Sequence, residues 1–183
     1  MKNILRKYLA ILRGQLDLEK LKKRGLKVGD NFKLTANNVI DPSHCWHIEI
    51  GNNVILAPGV HILAHDASTG LFLGYTKIGN VKIGNNVFIG AKSVVLMGVT
   101  IGDNVIIGAG SIVSHDIPSN SVAYGNPARV ASSLDEYLNK EKAQMKKENT
   151  FEEDYTLRNP NFTMDQRNEL IEACKIHKTS YIR

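Results

Sequence analysis

Histidine is the residue type in this sequence best suited to acid–base chemistry, because a neutral imidazole can remove a hydroxyl proton near pH 7. Two of the six histidines, His61 and His65, lie four residues apart in the segment HILAHDAS. If that segment alternates as a strand, Val60 and Ile62 face a core and His61 faces outward. His65 stands directly before residues 67–79, which leave the surrounding pattern, and it is the candidate base. The competing interpretation is a histidine that only forms a hydrogen bond at a bend of the chain.

Small residues recur where a cofactor could lie against the backbone. Gly90 and Ala91 are followed 18 residues later by Gly108 and Ala109. Residues without bulky side chains leave a shallow channel with accessible backbone. The same residues are also ordinary turn formers, so the pattern fits both a channel and simple turns.

A six-residue repeat defines the elements that would position these groups. Successive blocks between residues 83 and 118 begin with Ile or Val, at positions 83, 89, 95, 101, 107 and 113. Gly, Asn and Asp crowd the positions between, so each block is predicted to be a short strand and a turn. Residues 28–40 and, after a shift of register, residues 50–62 carry the same spacing. This period predicts a parallel β-helix with 18-residue coils around stacked aliphatic side chains. Periodicity gives no handedness, and the general rule for parallel crossovers favours a right-handed path.

The repeat divides the chain into three predicted regions. Residues 1–25 hold eight Lys or Arg against two acidic residues and have mostly helical apolar spacing, which predicts a basic amphipathic helix. Residues 26–130 form the predicted β-helix, with residues 67–79 as a surface loop. Residues 131–183 contain two capping-box spacings and are predicted to form two helices.

Composition narrows the class of protein. The net charge is +5 at pH 7, and the basic residues 1–25 lack the motifs of a nucleic-acid surface. Weak membrane-surface association through residues 1–25 is one prediction, and a solvated helix that caps the β-helix is the other. Charged residues interrupt every apolar run there, which argues against a signal peptide or a membrane span and favours a cytoplasmic protein. Cys45 and Cys174 have neither disulfide nor zinc-ligand spacing, so no metal is expected.

A family resemblance rests mainly on the segment IGNNVFIGAKSVVLMGVTIGDNVIIGAGSIVSHDIPSNSVAYGNPARV. This segment closely resembles hexapeptide-repeat O-acetyltransferases of the maltose and galactoside acetyltransferase type, and the likeness covers about residues 25–130. IDPSHCWHIEIGNN and GVHILAHDAST are similar to the branch associated with bacterial surface-polysaccharide acetylation. The resemblance implies a left-handed parallel β-helix and transfer of an acetyl group from acetyl-CoA to a hydroxyl of a sugar or lipid-linked glycan precursor, without a covalent intermediate. Transfer to the amine of an amino sugar is the alternative on the same scaffold.

The resemblance also implies roles for individual residues. His65 occupies the place of the family's catalytic histidine and would act as the general base. The acetyl-CoA site would comprise Gly90, Ala91, Gly108, Ala109, Ser114, His115, Pro127 and Arg129. Within that site the amide of Ala91 would stabilise the oxyanion, and Arg129 would bind a CoA phosphate. The acceptor site would contain Asp41, His44, Trp46 and Phe88.

Some of these positions depart from the family pattern or have a second interpretation. Ser114 and His115 stand where close relatives tend to carry Thr-Lys, which predicts a weaker phosphate contact. Phe88 stands where the family's aromatic is often Trp, so acceptor stacking is expected to differ. Trp46 either stacks on a sugar ring or packs in the core or between subunits.

The resemblance implies a homotrimer in which neighbouring subunits share each active site. The apolar tip of the surface loop, Leu71, Phe72 and Leu73, would cover an adjacent site, because such a tip needs a partner. Two other functions compete. A γ-class carbonic anhydrase has the same solenoid, but His61 and His65 are four residues apart where its zinc site needs five. A non-catalytic structural β-helix would have no need of His65.

Overall fold

The computed structural model describes residues 16–183. The described chain forms two compact units, one ending at Leu134 and the other comprising Asp135–Arg183. Within the described residues, no helix is long and apolar enough to cross a membrane.

The first unit begins with a short helix at one end of its core. Residues 1–15 of the predicted N-terminal helix lie outside the described residues, so membrane association through this region stays a prediction. The described part forms helix α1, Leu18–Lys23, whose N-cap Asp17 accepts a hydrogen bond from the backbone N–H of Lys20. Leu21 of α1 is buried in the core, as expected of an element that covers the end of a solenoid.

Short parallel strands form the wall of the first unit, in three sheets that the chain visits in turn. Sheet A contains β1 (Lys27–Val28), β4 (Ile48–Ile50), β9 (Val81–Ile83) and β12 (Thr100–Ile101). Sheet B contains β2 (Lys33–Leu34), β5 (Ile55–Leu56), β10 (Val87–Ile89), β13 (Val105–Ile107) and β15 (Ser121–Gly125), with antiparallel β16 (Ala128–Ser133) at its edge. Sheet C contains β3 (Val39–Ile40), β6 (His61–Ile62), β11 (Val94–Val95) and β14 (Ile112–Val113). The predicted parallel β-helix is confirmed.

The spacing between coils departs from 18 residues at particular levels. Val87 pairs with Val105 at the predicted offset of 18. Lys33 pairs with Ile55 at an offset of 22, and Ile55 pairs with Phe88 at an offset of 33. The four and fifteen additional residues both lie in the connection from sheet C to sheet A, before β4 and before β9. We call this edge of the β-helix the C–A corner, and it comprises residues 41–47, 63–80, 96–99 and 114–116.

Inward-facing aliphatic side chains fill the coils. The aliphatic residues that begin the blocks, at positions 83, 89, 95, 101, 107 and 113, are all buried. Burial of one such side chain stabilises the fold by about 1.5–3 kcal/mol. Two inward positions hold Ser93 and Ser111, whose hydroxyls donate to the carbonyl oxygen of Gly108 at 2.9 and 2.7 Å. These buried hydroxyls are therefore satisfied.

A ladder of asparagines runs along the corner between sheets A and B. Each of these asparagines has a left-handed φ between +55° and +59°, a conformation that Asn tolerates better than most residues. The side-chain amide of each asparagine except the last donates at 2.9 Å to the amide oxygen of the next one in the ladder. The ladder consists of Asn31, Asn53, Asn86, Asn104 and Asn120.

The second unit contains the two predicted C-terminal helices, α3 (Leu134–Gln144) and α4 (Met164–His177). One predicted capping box is confirmed, since the Thr163 side chain and the Gln166 side chain bond each other's backbone N–H at the start of α4. Two short strands, β17 (Thr150–Phe151) and β18 (Tyr181–Ile182), pair in parallel. Short 3-10 helices cover Cys45–His47 in the first unit and Lys147–Asn149 and Glu153–Tyr155 in the second.

Candidate active site

The lengthened connections of the C–A corner lie on adjacent coils and bring several predicted site residues together. The first connection carries Asp41, His44 and Trp46, and the second begins at His65. Strand β7 (His65–Asp66) pairs in antiparallel fashion with β8 (Lys77–Ile78), so the predicted loop is a hairpin that leaves the β-helix at His65.

A buried carboxylate holds the His65 ring. The Asp41 side chain is fully buried, and its Oδ2 contacts Nδ1 of His65. The same oxygen accepts from the backbone N–H of Ala64 at 3.1 Å, while Oδ1 accepts from the N–H groups of Ser43 at 3.0 Å and His44 at 3.1 Å. Both oxygens are therefore engaged away from solvent, which favours a role for Asp41 in holding His65, while its predicted contact with the acceptor stays a prediction.

The environment of Asp41 determines which nitrogen of His65 carries the proton. Burial raises the pKa of Asp41, but hydrogen bonds from the His65 ring and from the backbone N–H groups of Ala64, Ser43 and His44 lower it below its usual value. The carboxylate is therefore ionised and can only accept, so Nδ1 of His65 is the donor. Nε2 is left with the lone pair that a general base requires.

The rings of His44 and Trp46 extend the site outward from His65. The His44 ring centroid lies 4.8 Å from that of His65 and 5.4 Å from that of Trp46. Trp46 is 51% exposed, which excludes core packing, because its neighbour Cys45 takes the buried position of the 3-10 helix. Gly25, at φ +106°, leaves room for Trp46, since a Cβ there would lie 2.8 Å from the Trp46 Cβ.

His65 is accessible, and His61 is not part of its cluster. The side chain of His65 is 32% exposed. His61 is exposed on the outer face of sheet C, where it pairs with Val39 and Val94, so its predicted outward orientation is confirmed.

The hairpin that follows His65 is fastened at its base and has an apolar tip. The Nζ of Lys77 lies 2.5 Å from Oδ2 of Asp66, and this hydrogen bond lowers the pKa of Asp66 below its usual value. At the tip, helix α2 (Gly70–Leu73) presents apolar side chains that are 68–84% exposed, namely Leu71, Phe72 and Leu73.

The predicted acetyl-CoA channel lies at a different corner of the same chain. Gly90 and Gly108 directly follow β10 and β13 of sheet B, at the turn toward sheet C, and their coils stack because Ile89 pairs with Ile107. A Cβ on Gly90 would lie 2.7 Å from the carbonyl carbon of Gly108, so the turn itself requires glycine. Ala91 is partly exposed and Ala109 is exposed. We call this edge the B–C corner, and it comprises residues 35–38, 57–60, 90–93 and 108–111.

The residues predicted to bind CoA phosphate lie together. The Ser114 hydroxyl is 2.9 Å from Nδ1 of His115, and Nη1 of Arg129 is 3.5 Å from the same nitrogen. Arg129 and Pro127 are exposed in and beside the hairpin that joins β15 to β16. A cationic and hydroxyl-bearing patch of this kind suits an anionic group.

The structure brings Asp41, His44, Trp46 and His65 together but places Phe88 elsewhere. Phe88 is 41% exposed on the outer face of sheet B. His47 was not predicted as a site residue, but its Nδ1 lies 2.7 Å from the side-chain oxygen of Asn80 and its ring centroid lies 5.9 Å from that of Trp46. The four-residue shift of register was the signal that this connection is special.

Comparisons with known proteins relate this chain to a family of enzymes. Residues 80–115 match the family described as hexapeptide repeat of succinyl-transferase. The chain is 42% identical over 138 residues to Protein CapG of Staphylococcus aureus, covering 73% of this chain and 80% of that protein. A maltose O-acetyltransferase of Clostridium difficile 630 has a similar structure, with a TM-score of 0.53 and 32% identity over 72% of this chain and 84% of that one. A hexapeptide-repeat acetyltransferase of Vibrio cholerae, in complex with acetyl-CoA, gives a TM-score of 0.54 and 29% identity over 61% of each chain.

These similarities define the class, and the chain belongs to the hexapeptide-repeat acetyltransferase family. It is an acetyl-CoA-dependent acetyltransferase with a left-handed parallel β-helix, as the resemblance implied. The right-handed path that the general crossover rule favours is wrong for this fold. The structural β-helix and the carbonic anhydrase are excluded as functions.

Proposed function

We propose that this acetyltransferase transfers the acetyl group to a hydroxyl of a sugar or glycan precursor, with His65 as the general base. The observation that carries the proposal is the contact of the ionised Asp41 with Nδ1 of His65. This contact fixes the tautomer in which Nε2 can accept a proton, on a ring that solvent and substrate can reach.

The proposed reaction is a direct attack without an acyl-enzyme. The acceptor oxygen attacks the thioester carbonyl carbon as Nε2 of His65 removes the hydroxyl proton. The amide of Ala91 donates to the oxyanion of the tetrahedral intermediate. Collapse of the intermediate breaks the carbon–sulfur bond, and the His65 imidazolium returns the proton to the CoA thiolate. Asp41 stabilises the imidazolium in between and is a positioning residue.

A saccharide acceptor is supported by the exposed face of Trp46 beside the base. Aromatic faces are suited to the apolar C–H face of a sugar ring, and imidazole and amide groups at the edge can bind its hydroxyls. His44, adjacent to both rings, is the residue that we assign to an acceptor hydroxyl. An amino sugar fits the same surface, and its amine would be acetylated by the same proton transfer.

We also propose that the active site is completed by a second copy of the chain within a homotrimer. In one chain the base lies at the C–A corner and the acetyl-CoA channel at the B–C corner, so a neighbour must supply one of them. The outer faces of sheets B and C are mostly apolar, with Ile55, Phe88, Ile106, Val39, Val94 and Ile112. The outer face of sheet A is polar, with Lys27, Glu49, Lys82 and Thr100. Association through sheets B and C would bury the apolar faces and bring the B–C corner of one copy to the C–A corner of the next.

The acceptor is tested by release of the CoA thiol from acetyl-CoA, measured against a panel of neutral sugars, amino sugars and non-saccharide alcohols. The proposal predicts saccharide-dependent thiol release and a product whose ester is cleaved by hydroxylamine. A hydroxylamine-resistant product would identify N-acetylation. Activity with non-saccharide alcohols alone would refute the saccharide acceptor.

The shared site is tested by analytical ultracentrifugation at micromolar concentration. A species of three times the 20.3 kDa chain is expected, and the apolar loop tip would then lie against a neighbour. A monomer that retains full activity would contradict the shared site.

A further inference from the structure

One buried nitrogen beside the candidate base has no partner. Within the described residues, Nδ1 of His44 is buried and forms no hydrogen bond. Buried polar atoms are nearly always paired, and an exception near other donor atoms indicates a bound water or ion. Oδ1 of Asp41 lies 4.0 Å from it.

The atoms around this nitrogen form a set of metal ligands. Asp41, His44 and His65 each provide one ligand atom, and these atoms all lie within 4.8 Å of one another. Two histidines and one carboxylate with a fourth position open to solvent are a ligand set typical of Zn²⁺. With metal–ligand bonds of about 2.0–2.1 Å, two tetrahedral ligands lie about 3.3–3.4 Å apart. Nδ1 of His44 and Oδ1 of Asp41 lie 4.0 Å apart, so the two atoms would approach by roughly 0.6–0.7 Å on binding the ion.

We propose that Asp41, His44 and His65 form an inhibitory binding site for Zn²⁺ or a similar divalent transition-metal ion. The open side of the site is provided by the exposed third of His65. The carboxylate offsets part of the charge of the ion, and the buried His44 nitrogen gains the partner that it lacks. The ion is a ligand that competes with catalysis, because the proposed acetyl transfer uses the neutral imidazole of His65 as its base.

Metal binding removes the base whichever nitrogen of His65 takes part. If Nε2 binds the ion, its lone pair is no longer available for the acceptor proton. If Nδ1 binds the ion, the neutral ring must carry its proton on Nε2, which then cannot accept another. The inhibition therefore rests on the proposed role of His65, whereas the binding of the ion does not.

The binding is tested without substrates, by titrating the full-length chain with Co²⁺ as a spectroscopic substitute for Zn²⁺. We expect one ion per chain and the intense visible absorption of four-coordinate Co²⁺, displaced by Zn²⁺. His44→Gln should weaken the affinity by about 100-fold or more, since loss of even an outer partner of a metal site costs about 10- to 100-fold. The matched control is His61→Gln, which removes an exposed histidine from the same coil and should bind Co²⁺ as the wild type does.

The inhibition is tested by thiol release from acetyl-CoA with and without micromolar Zn²⁺. We expect Zn²⁺ to lower the turnover and a chelator to restore it. The visible absorption of the Co²⁺-loaded chain should not change when acetyl-CoA is added. Equal Co²⁺ affinity in His44→Gln and His61→Gln, or an octahedral spectrum, would overturn the metal site. Absence of acetyl transfer to every acceptor would instead refute the proposed function and leave the titration result intact.

Discussion

The substitution Asp41→Asn tests how the buried carboxylate controls His65. The amide keeps the shape of the side chain and can still accept from two backbone N–H groups. Its NH₂ group, however, replaces an oxygen that now faces the Ala64 N–H and Nδ1 of His65. His65 must then turn its Nδ1 lone pair toward the amide, which moves the ring proton to Nε2 and removes the base.

The magnitude follows from the interaction that is lost. A hydrogen bond to a charged group contributes about 1.5–3 kcal/mol, which is roughly 10- to 150-fold in rate at about 1.36 kcal/mol for each factor of ten. The reversed tautomer removes general-base catalysis altogether, which typically costs about 10²- to 10⁴-fold and already includes the loss of that hydrogen bond. We therefore expect turnover in Asp41→Asn to fall by about 10²- to 10⁴-fold, with an unchanged KM for acetyl-CoA.

The assay is steady-state thiol release at saturating acetyl-CoA, with circular dichroism to confirm that the variant is folded. Asp103→Asn is the matched control, because Asp103 is an exposed carboxylate that accepts from the backbone N–H of Asn85 in a turn where the two preceding coils carry Asn52 and Asn85. That variant should retain wild-type turnover. Turnover of Asp41→Asn within about threefold of wild type would refute the positioning role.

Three further predictions concern stability, acid sensitivity and cofactor affinity. Asn86→Ala removes two ladder hydrogen bonds at about 0.5–1.5 kcal/mol each and places alanine at φ +55°, so the free energy of unfolding measured in urea should fall by about 2–4 kcal/mol. Asn86→Gly should lose less, because glycine tolerates that φ. Equal losses in the two variants would show that the backbone conformation contributes nothing. The pKa of Asp41 is lower in the folded state than in the unfolded state, so its contribution to stability is present above about pH 4 and is lost as the pH falls through the folded pKa. Asp41→Asn should therefore lose less stability than wild type on acidification below about pH 4. Parallel plots of unfolding free energy against pH for the two proteins would contradict this contribution. Arg129→Ala should raise the KM for acetyl-CoA by about tenfold or more with little change in kcat. The control is Arg183→Ala, which removes another exposed arginine and should change neither value. A fall in kcat alone in Arg129→Ala would show that Arg129 does not bind the CoA phosphate.

The coils and their core are predictable from the sequence because the period is local. Each block between residues 83 and 118 repeats the same strand and turn, so the aliphatic residues that begin the blocks must share one interior. The same counting predicts that Gly90 and Gly108 stack, since they are 18 residues apart. Local turn chemistry also predicts the asparagines at the A–B corner as turn residues, although not their ladder of side-chain hydrogen bonds.

The pairing of Asp41 with His65 is not predictable from the period, because it depends on connection lengths. A regular 18-residue coil would stack His65 over His47. The additional four residues in the first connection shift the register, and Asp41 then meets a residue 24 positions later. Trp46 is ambiguous for a similar reason, since only the burial of Cys45 in the added 3-10 turn determines which way the indole faces.

The role of His65 as the base is tested by the turnover of His65→Ala in the thiol-release assay, compared with wild type and with His177→Ala as a control for loss of a histidine in the second unit. We expect His65→Ala to remain folded, to bind acetyl-CoA normally and to lose about two or more orders of magnitude in kcat, while His177→Ala is unaffected. Near-normal turnover of folded His65→Ala would show that another group removes the acceptor proton and that His65 is not the base.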